Sequence, residues 1–543
     1  MTAASPDGAV LSRRELLLGG AVLAAGGCRA SSAAPIEGGL VGASDHVGHL
    51  LREPGRIPAP VSTERVAVAI VGAGVAGLAA AWHLSRRGVR DLVVLELEGA
   101  PGGNARAGAS SVTAYPWGAH YLPLPGAEAS GVRELLRELG VIEGFDRTGR
   151  PIYDERHVCH APQERLYHRG RWHEGLFPWT GATAEDRAQH DAFRREMERF
   201  RTWRDAAGRR AFAAPRTAGA PGAFAALDRI SMAEFLDARG VTSPRVRWWV
   251  EYACRDDYGT DLAGTSAWAG VHYYASRDSD PEYGDAVLTW PEGNAWLTQR
   301  LAEPVAAAIR LGQIVVNVEP AGPDVAVDVH DAGAGRTYRL LAREVVLACP
   351  VFVAARLYRP WRERPPAFVR AFRYAPWLVA NLHLDRLPGG AAGAPPAWDN
   401  VLYEGAGLGY VVATHQSLRA HEGATVLTYY RSFPGADPAA ARRTLLASTW
   451  TTLRDEVLRD LARPHPELPR DVRRLDVTRY GHAMVRPEPG LVCGAALAEA
   501  GAALQGPVHL AHADLSGFSL FEEAFEWGRR VALRILARRP RFP

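Results

Sequence analysis

The chain has 543 residues and a net charge of +3, with 63 basic against 60 acidic side chains. That length can bury a large core and predicts roughly three domains, while a charge balance so near neutral gives no electrostatic case for a nucleic-acid partner. Arginine is the sole strongly basic residue type, because the sequence contains no lysine; lysine Schiff-base chemistry, a P-loop lysine and a pyridoxal-phosphate lysine are therefore excluded.

In chain order, residues 12–28 come first: Ser-Arg-Arg-Glu-Leu-Leu-Leu-Gly-Gly-Ala-Val-Leu-Ala-Ala-Gly-Gly-Cys. Arg13-Arg14 ahead of a short apolar run resembles a Tat signal peptide, and the run is too short to span a bilayer as a mature helix. Tat-type export carries folded proteins. Cys28 follows Ala25-Gly26-Gly27 and resembles a lipobox cysteine without the usual leucine, so a lipid anchor at Cys28 is left open. The expected division is a signal segment at 1–34 and an Ala/Ser/Gly/Pro-rich linker at 35–62. The expected location is the periplasm, or the outer side of the inner membrane.

Residues 66–77 read Val-Ala-Val-Ala-Ile-Val-Gly-Ala-Gly-Val-Ala-Gly. A buried strand runs into a Gly-x-Gly-x-x-Gly turn at Gly72, Gly74 and Gly77, then into an Ala-rich helix over 78–87. A second strand, 92–96, ends in Glu96. This is a βαβ dinucleotide site. Gly72 makes the turn, Gly74 admits a pyrophosphate and Gly77 lets helix pack on strand. The N–H groups near Val75 and Ala76 face the phosphates, and Glu96 accepts from an adenosine ribose.

A second glycine turn, Gly99-Ala-Pro-Gly-Gly103, and an aromatic segment, residues 114–121, follow. Residues 151–290 are rich in Arg, His, Trp and Tyr and predict a helical insertion, with helices over 186–207 and 231–239 and a low-complexity loop at 218–226. The nucleotide pattern returns at 291–356, with a helix over 293–309, strands at 314–318 and 325–329, and a short strand ending in Pro350. Residues 357–478 hold strands at 378–384, 410–414 and 426–433 and one long helix at 438–461. The last segment, 479–543, carries a strand ending in Asp514 and a helix from 518 to 538. Cys159, Cys254, Cys349 and Cys493 lack metal or CxxC spacing and read as small buried hydrophobes, with one bridge left open by export; no metal site is predicted.

These blocks resemble, in order, the flavin-containing amine oxidase and phytoene desaturase superfamily. The matching residues are Val71–Gly77 with Glu96, then Pro101-Gly102-Gly103, then Val345–Pro350, then Leu510–Asp514 with the helix beyond. The resemblance implies an α/β fold: a Rossmann-like FAD-binding domain of glutathione-reductase type (63–150, 291–356 and 479–543) interleaved with an α+β substrate domain (151–290 and 357–478). It implies non-covalent FAD, contacted also by Gly102, Gly103, Asn104, Arg106, Gly118, Ala119, Val318, Asp514, Phe518 and Ser519. Asn104 stands where the family has arginine, and Arg106 is the nearest substitute. The lysine that often holds a water at flavin N5 is missing, which puts re-oxidation by oxygen in question.

By the same likeness His120 and Tyr121 lie under the flavin ring, and Tyr480 and His482 lie over the substrate; these four are the candidate catalytic residues. Asp256-Asp257 either binds a cationic amine or caps a helix and meets arginines. One of Tyr429 and Tyr430 faces the substrate side. The expected activity is hydride abstraction from an amine or amino acid to flavin N5, with oxygen or a quinone as final acceptor. Two alternatives stay open: a desaturase or isomerase acting on an isoprenoid-like substrate, and a flavin-binding protein without turnover.

Overall fold

Thr63–Val71 becomes a central strand because its last four residues are buried and it is flanked in parallel by Leu92–Leu95 and Arg336–Leu347. The computed structural model describes residues 35–389, 391–417 and 423–538. Around this strand a seven-stranded sheet runs in the order Ile309–Arg310, Leu92–Leu95, Thr63–Val71, Arg336–Leu347, Asp324–Asp331, Gln313–Ala321, with Val508–Leu510 also pairing Arg336–Leu347. Helix Val75–Arg86 packs against the last helix, Phe521–Arg538. Their approach is close: a Cβ on Gly528 would lie 2.2 Å from the Ala76 carbonyl oxygen.

The second sheet has eight strands, built on Tyr374–Leu384 between Val472–Val485 and Thr425–Ser432. Gly409–Val412, Asp399–Leu402, Glu164–His168 and Arg171–Glu174 extend one side. Helices Ala184–Thr202, Met232–Ala238, Pro244–Tyr258 and Ala267–Ala275 share one core that includes Phe193, Phe235, Val250 and Trp268. Two capping boxes start the first two of these helices, at Thr183 with Asp186 and at Ser231 with Glu234. From Glu37 onward the chain forms one compact unit.

Several boundaries differ from the sequence expectation. The expected linker at 35–62 contains strand Glu37–Val41, which pairs in parallel with Val472–Val485. The expected helical insertion contributes Glu164–His168 and Arg171–Glu174 to the sheet, where they pair with each other antiparallel and Glu164–His168 pairs in parallel with Asp399–Leu402. Val472–Val485 crosses the expected domain boundary at 478/479 and belongs to the eight-stranded sheet throughout. The long helix expected at 438–461 is two, Pro438–Ala447 and Trp450–Leu461, since Thr449 caps the second. The loop expected at 218–226 is largely a 3₁₀ segment, Pro221–Arg229. The final helix starts at Phe521 rather than 518, because Gly517 sits at φ +78° and turns the chain first. Cys159, Cys254, Cys349 and Cys493 are unbridged. No helix among the described residues is long and apolar enough to cross a membrane. The twin-arginine segment and Cys28 lie outside the described residues.

Candidate active site

Two glycine turns form the base of a cavity of about 340 Å³. Gly72 adopts φ +103°, where a Cβ would meet the Ala348 carbonyl oxygen at 2.6 Å. Gly103 adopts φ +58°, and its Cβ would lie 3.1 Å from the Gly74 Cα. The two loops thus leave room only for backbone, with the N-terminus of helix Val75–Arg86 opening on the same cavity. Glu96 lines the cavity, accepting the Ala73 N–H at 2.7 Å and the Glu98 N–H at 2.9 Å.

Asp514 lines the cavity too, from the 3₁₀ segment Ala513–Ser516. Its Oδ2 accepts the Val351 N–H at 2.9 Å and the Tyr374 hydroxyl at 2.5 Å. Its Oδ1 lies 3.1 Å from Nδ1 of His512, but that nitrogen already accepts the Asp514 N–H at 3.2 Å. Oδ1 is therefore a buried acceptor left without a donor, which suits a ligand hydroxyl. The N-terminus of Phe521–Arg538 opens onto this cavity through Ser519, Leu520 and Phe521. Glu522 and Glu523 in its first turn are pushed up to about 7 by burial. Their proton affinities are thereby raised. Polar orphan atoms, glycine cradle and helix end all fit FAD.

A second space of about 160 Å³ continues from the first, sharing Asn104, Ala119, Asn294 and Ser519 to Phe521. Gly118 lies on its wall, where a Cβ would meet the Asn104 carbonyl oxygen at 2.3 Å. Asn104 donates to the Ala483 carbonyl at 2.7 Å and its own carbonyl accepts the Ala119 N–H at 3.1 Å, so it ties both walls together. The Tyr480 hydroxyl and Trp377 Nε1 are buried, without partners, on side chains that line this junction space.

Beyond it opens a wider cavity of about 560 Å³. His120, Tyr121, Asp256, Arg277 and Tyr430 line both. His120 stacks on Tyr430 at 4.4 Å and is held to about 4 by burial, so it is neutral in ordinary conditions. Four carboxylates line the wide cavity without an ion-pair partner among the described residues: Glu164, Asp256, Asp285 and Asp399. Asp399 and Glu164 are direct neighbours in the register of adjacent parallel strands. Burial pushes Glu164 up to about 7, and burial with Asp256 and Glu164 nearby raises Asp399 well above the carboxylate range. Asp257, by contrast, is held by Arg277 at 2.8 Å. Arg277 is the one arginine lining the junction space, and Asp257 already holds it.

The candidates therefore separate. Gly72, Gly74, Val75, Ala76, Glu96, Gly102, Gly103, Asn104, Ala119, Asp514 and Ser519 line the FAD cavity, while Gly77 underlies it and Gly118 lines the junction space. Val318 does not line it: it is fully buried in the sheet, and a bulge after Val315 leaves Gln313, Ile314 and Val315 on the cavity instead. Phe518 is likewise fully buried, stacked on His272 at 4.6 Å in the helical core. Arg106 braces the glycine loop from behind, 3.3 Å from Glu98 and donating to the Gly103 carbonyl at 3.2 Å. His482 lines the FAD cavity rather than the substrate side, where Phe352 stacks on it at 4.4 Å. His120, Tyr121 and Tyr480 do meet in the junction space. Tyr430 faces the cavities, and Tyr429 turns away to donate to Asp460 at 2.8 Å. Asp399, Glu164 and Arg277 escape sequence reasoning, since a single acid or arginine in a strand or loop carries no motif.

The family of flavin containing amine oxidoreductases matches residues 75–536. Among solved structures, a redesigned putrescine oxidase aligns at 18% identity over 88% of this chain and 100% of its own, with a TM-score of 0.61. Cyclohexylamine oxidase from Brevibacterium oxydans aligns at 17% identity over 87% of this chain and 99% of its own, with a TM-score of 0.59. A fatty acid isomerase from P. acnes aligns at 15% identity over 86% of this chain and 98% of its own, with a TM-score of 0.61. No curated protein matches the sequence. With a family match across most of its length and a cradle shaped for the dinucleotide, the chain belongs to the flavin containing amine oxidoreductases and is an FAD-dependent oxidoreductase.

Proposed function

We propose that the enzyme oxidises a cationic amine. The observation that carries this reading is the set of unpaired carboxylates in the wide cavity. Half-buried anions without counter-charge carry a desolvation cost, and like charges directly opposite on neighbouring strands repel. An ammonium group supplies the missing charge, and the aromatic residues Trp398, Tyr252 and Tyr430 line the same cavity. Bound FAD supplies the two-electron acceptor. Trp377, Tyr480 and Gly118 shape the junction space against it, while the wide cavity orients the substrate carbon toward that space. Walls this acidic weigh against the isoprenoid-like hydrocarbon reading.

The test is anaerobic absorbance of the FAD-loaded protein with a panel of primary amines and amino acids. Loss of the oxidised-flavin band with amines is expected. A band that survives every amine yet bleaches with other donors sinks the amine reading and leaves the fold intact. Peroxide release on admitting air separates oxygen from a quinone as final acceptor. The Arg13-Arg14 segment supports Tat-type export. Replacing both arginines should retain the protein in the cytoplasm on fractionation, and unchanged export would remove that reading.

A further inference from the structure

Oxidation at the carbon beside nitrogen draws on the nitrogen lone pair, which takes up the positive charge left when hydride departs. An ammonium ion has no free lone pair. The cavity walls suit the ammonium form, so one proton must leave between capture and oxidation. This inference rests on the amine reading above.

Asp256 stands where that proton would leave. Among the carboxylates of the described residues it alone lines both the wide cavity and the junction space. It sits in the last turn of helix Pro244–Tyr258, at the negative end of the helix dipole. Its neighbour Asp257 is committed to Arg277, which donates to both carboxylate oxygens at 2.8 Å. Among the described residues Asp256 has a single side-chain contact, the Tyr121 hydroxyl at 3.4 Å, which it shares with Asp257 at 3.3 Å. The two acids thus have separate partners: Asp257 is paired with Arg277, and Asp256 is left open toward the cavities.

We propose that Asp256 accepts the proton of the substrate ammonium at the entrance to the junction space, passing on a neutral amine. The N–H bond breaks, its electrons stay on nitrogen, and the proton bonds to a carboxylate oxygen of Asp256. Bound FAD would supply the acceptor for the C–H hydrogen and its electron pair, leaving the amine as an iminium product. The proton on Asp256 returns to water in the wide cavity.

The groups around Asp256 fit a proton carrier. Burial first, then the like charge of Asp257 on its own helix, raises its proton affinity, and Asp399 faces it from the adjoining sheet. Arg277 opposes them in part. Tyr121, Tyr252, Tyr273 and Tyr430 complete its surroundings, each with its hydroxyl proton held more firmly by burial. The carboxylate becomes a better base while remaining unpaired.

The experiment compares two primary amines of different ammonium pKa. The second-order rate constant for anaerobic flavin reduction is followed against pH in the FAD-loaded full chain. In the unaltered enzyme the acid limb is expected at the same pH for both amines, set by the enzyme. In Asp256→Asn the limb moves upward and follows each amine's own pKa, with a loss near neutrality on the order of 100-fold. That loss disappears where the amine is already neutral, and Asp256→Glu restores the shared limb.

A limb that tracks the amine in the unaltered enzyme overturns the proposal and leaves the amine reading standing. So does an Asp256→Asn loss equal at every pH, which marks a merely structural role. Should Asp256→Asn fail to retain flavin, the two-amine comparison in the unaltered enzyme and the Asp256→Glu profile still decide. Failure of every amine to bleach the flavin overturns both ideas together.

Discussion

Replacing Gly77 with valine yields a protein purified without flavin. A Cβ there would lie 1.9 Å from the Gly72 carbonyl oxygen and 3.2 Å from the Ala348 Cβ. The first contact is backbone, inside the turn that cradles the dinucleotide, so it cannot be relieved by a side-chain rotation. The turn must open or helix Val75–Arg86 must lift off the sheet. Overpacking of this kind costs about 1–3 kcal/mol before cofactor loss is counted, and loss of bound FAD removes its own stabilisation of the native state. The check is the flavin absorbance of purified protein, before and after incubation with excess FAD, together with a thermal unfolding curve. Gly99→Val is the control, because nothing lies within 4 Å of a Cβ at that position. Full flavin content in Gly77→Val would mean that the glycine turn is not the phosphate cradle.

The second large effect concerns Asp399 and Glu164, and it has two opposite signs. With no substrate present the neighbouring carboxylates repel across the strand register. Asp399→Asn removes one charge, keeps the shape and keeps the Tyr252 contact, so the substrate-free enzyme should melt higher above neutrality. The same change removes a charge-assisted contact to the substrate cation, worth about 1.5–3 kcal/mol, or roughly a 10- to 100-fold fall in kcat/KM. Glu164→Gln should behave likewise. A gain in stability bought with activity is the signature of a ligand site rather than of a packing error. If Asp399→Asn melts lower and turns over amines normally, the acid pair is a structural unit and the cation has another address.

The sequence was informative where function depends on backbone. Gly72, Gly74, Gly77, Gly102 and Gly103 can be read because close approach to a phosphate demands glycine at fixed spacing, and Glu96 because a strand must end at the ribose. Asp514 follows from its place between a strand and a helix. Val318 and Phe518 failed because each depended on where an element begins or bulges: the bulge after Val315 and the turn at Gly517 shift the cavity-facing residues by a few positions. His482 failed on direction. It belongs to strand Val472–Val485, and its ring faces the FAD cavity and Phe352. The acidic wall was out of reach for a different reason. Glu164, Asp256 and Asp399 are brought to one wall by the parallel pairing of Glu164–His168 with Asp399–Leu402 and by a helix from another segment. Pairings between strands so far apart leave no local trace.

The contact between Gly528 and Ala76 sets a timetable for cofactor capture. The first glycine turn leaves the ribosome early, but Asp514 and the helix end at Phe521 arrive more than four hundred residues later. Until that last helix docks on Val75–Arg86, the cavity lacks the wall that carries Asp514 and the helix end. A growing chain therefore offers a dinucleotide only half a socket. Full enclosure of FAD waits on the finished polypeptide.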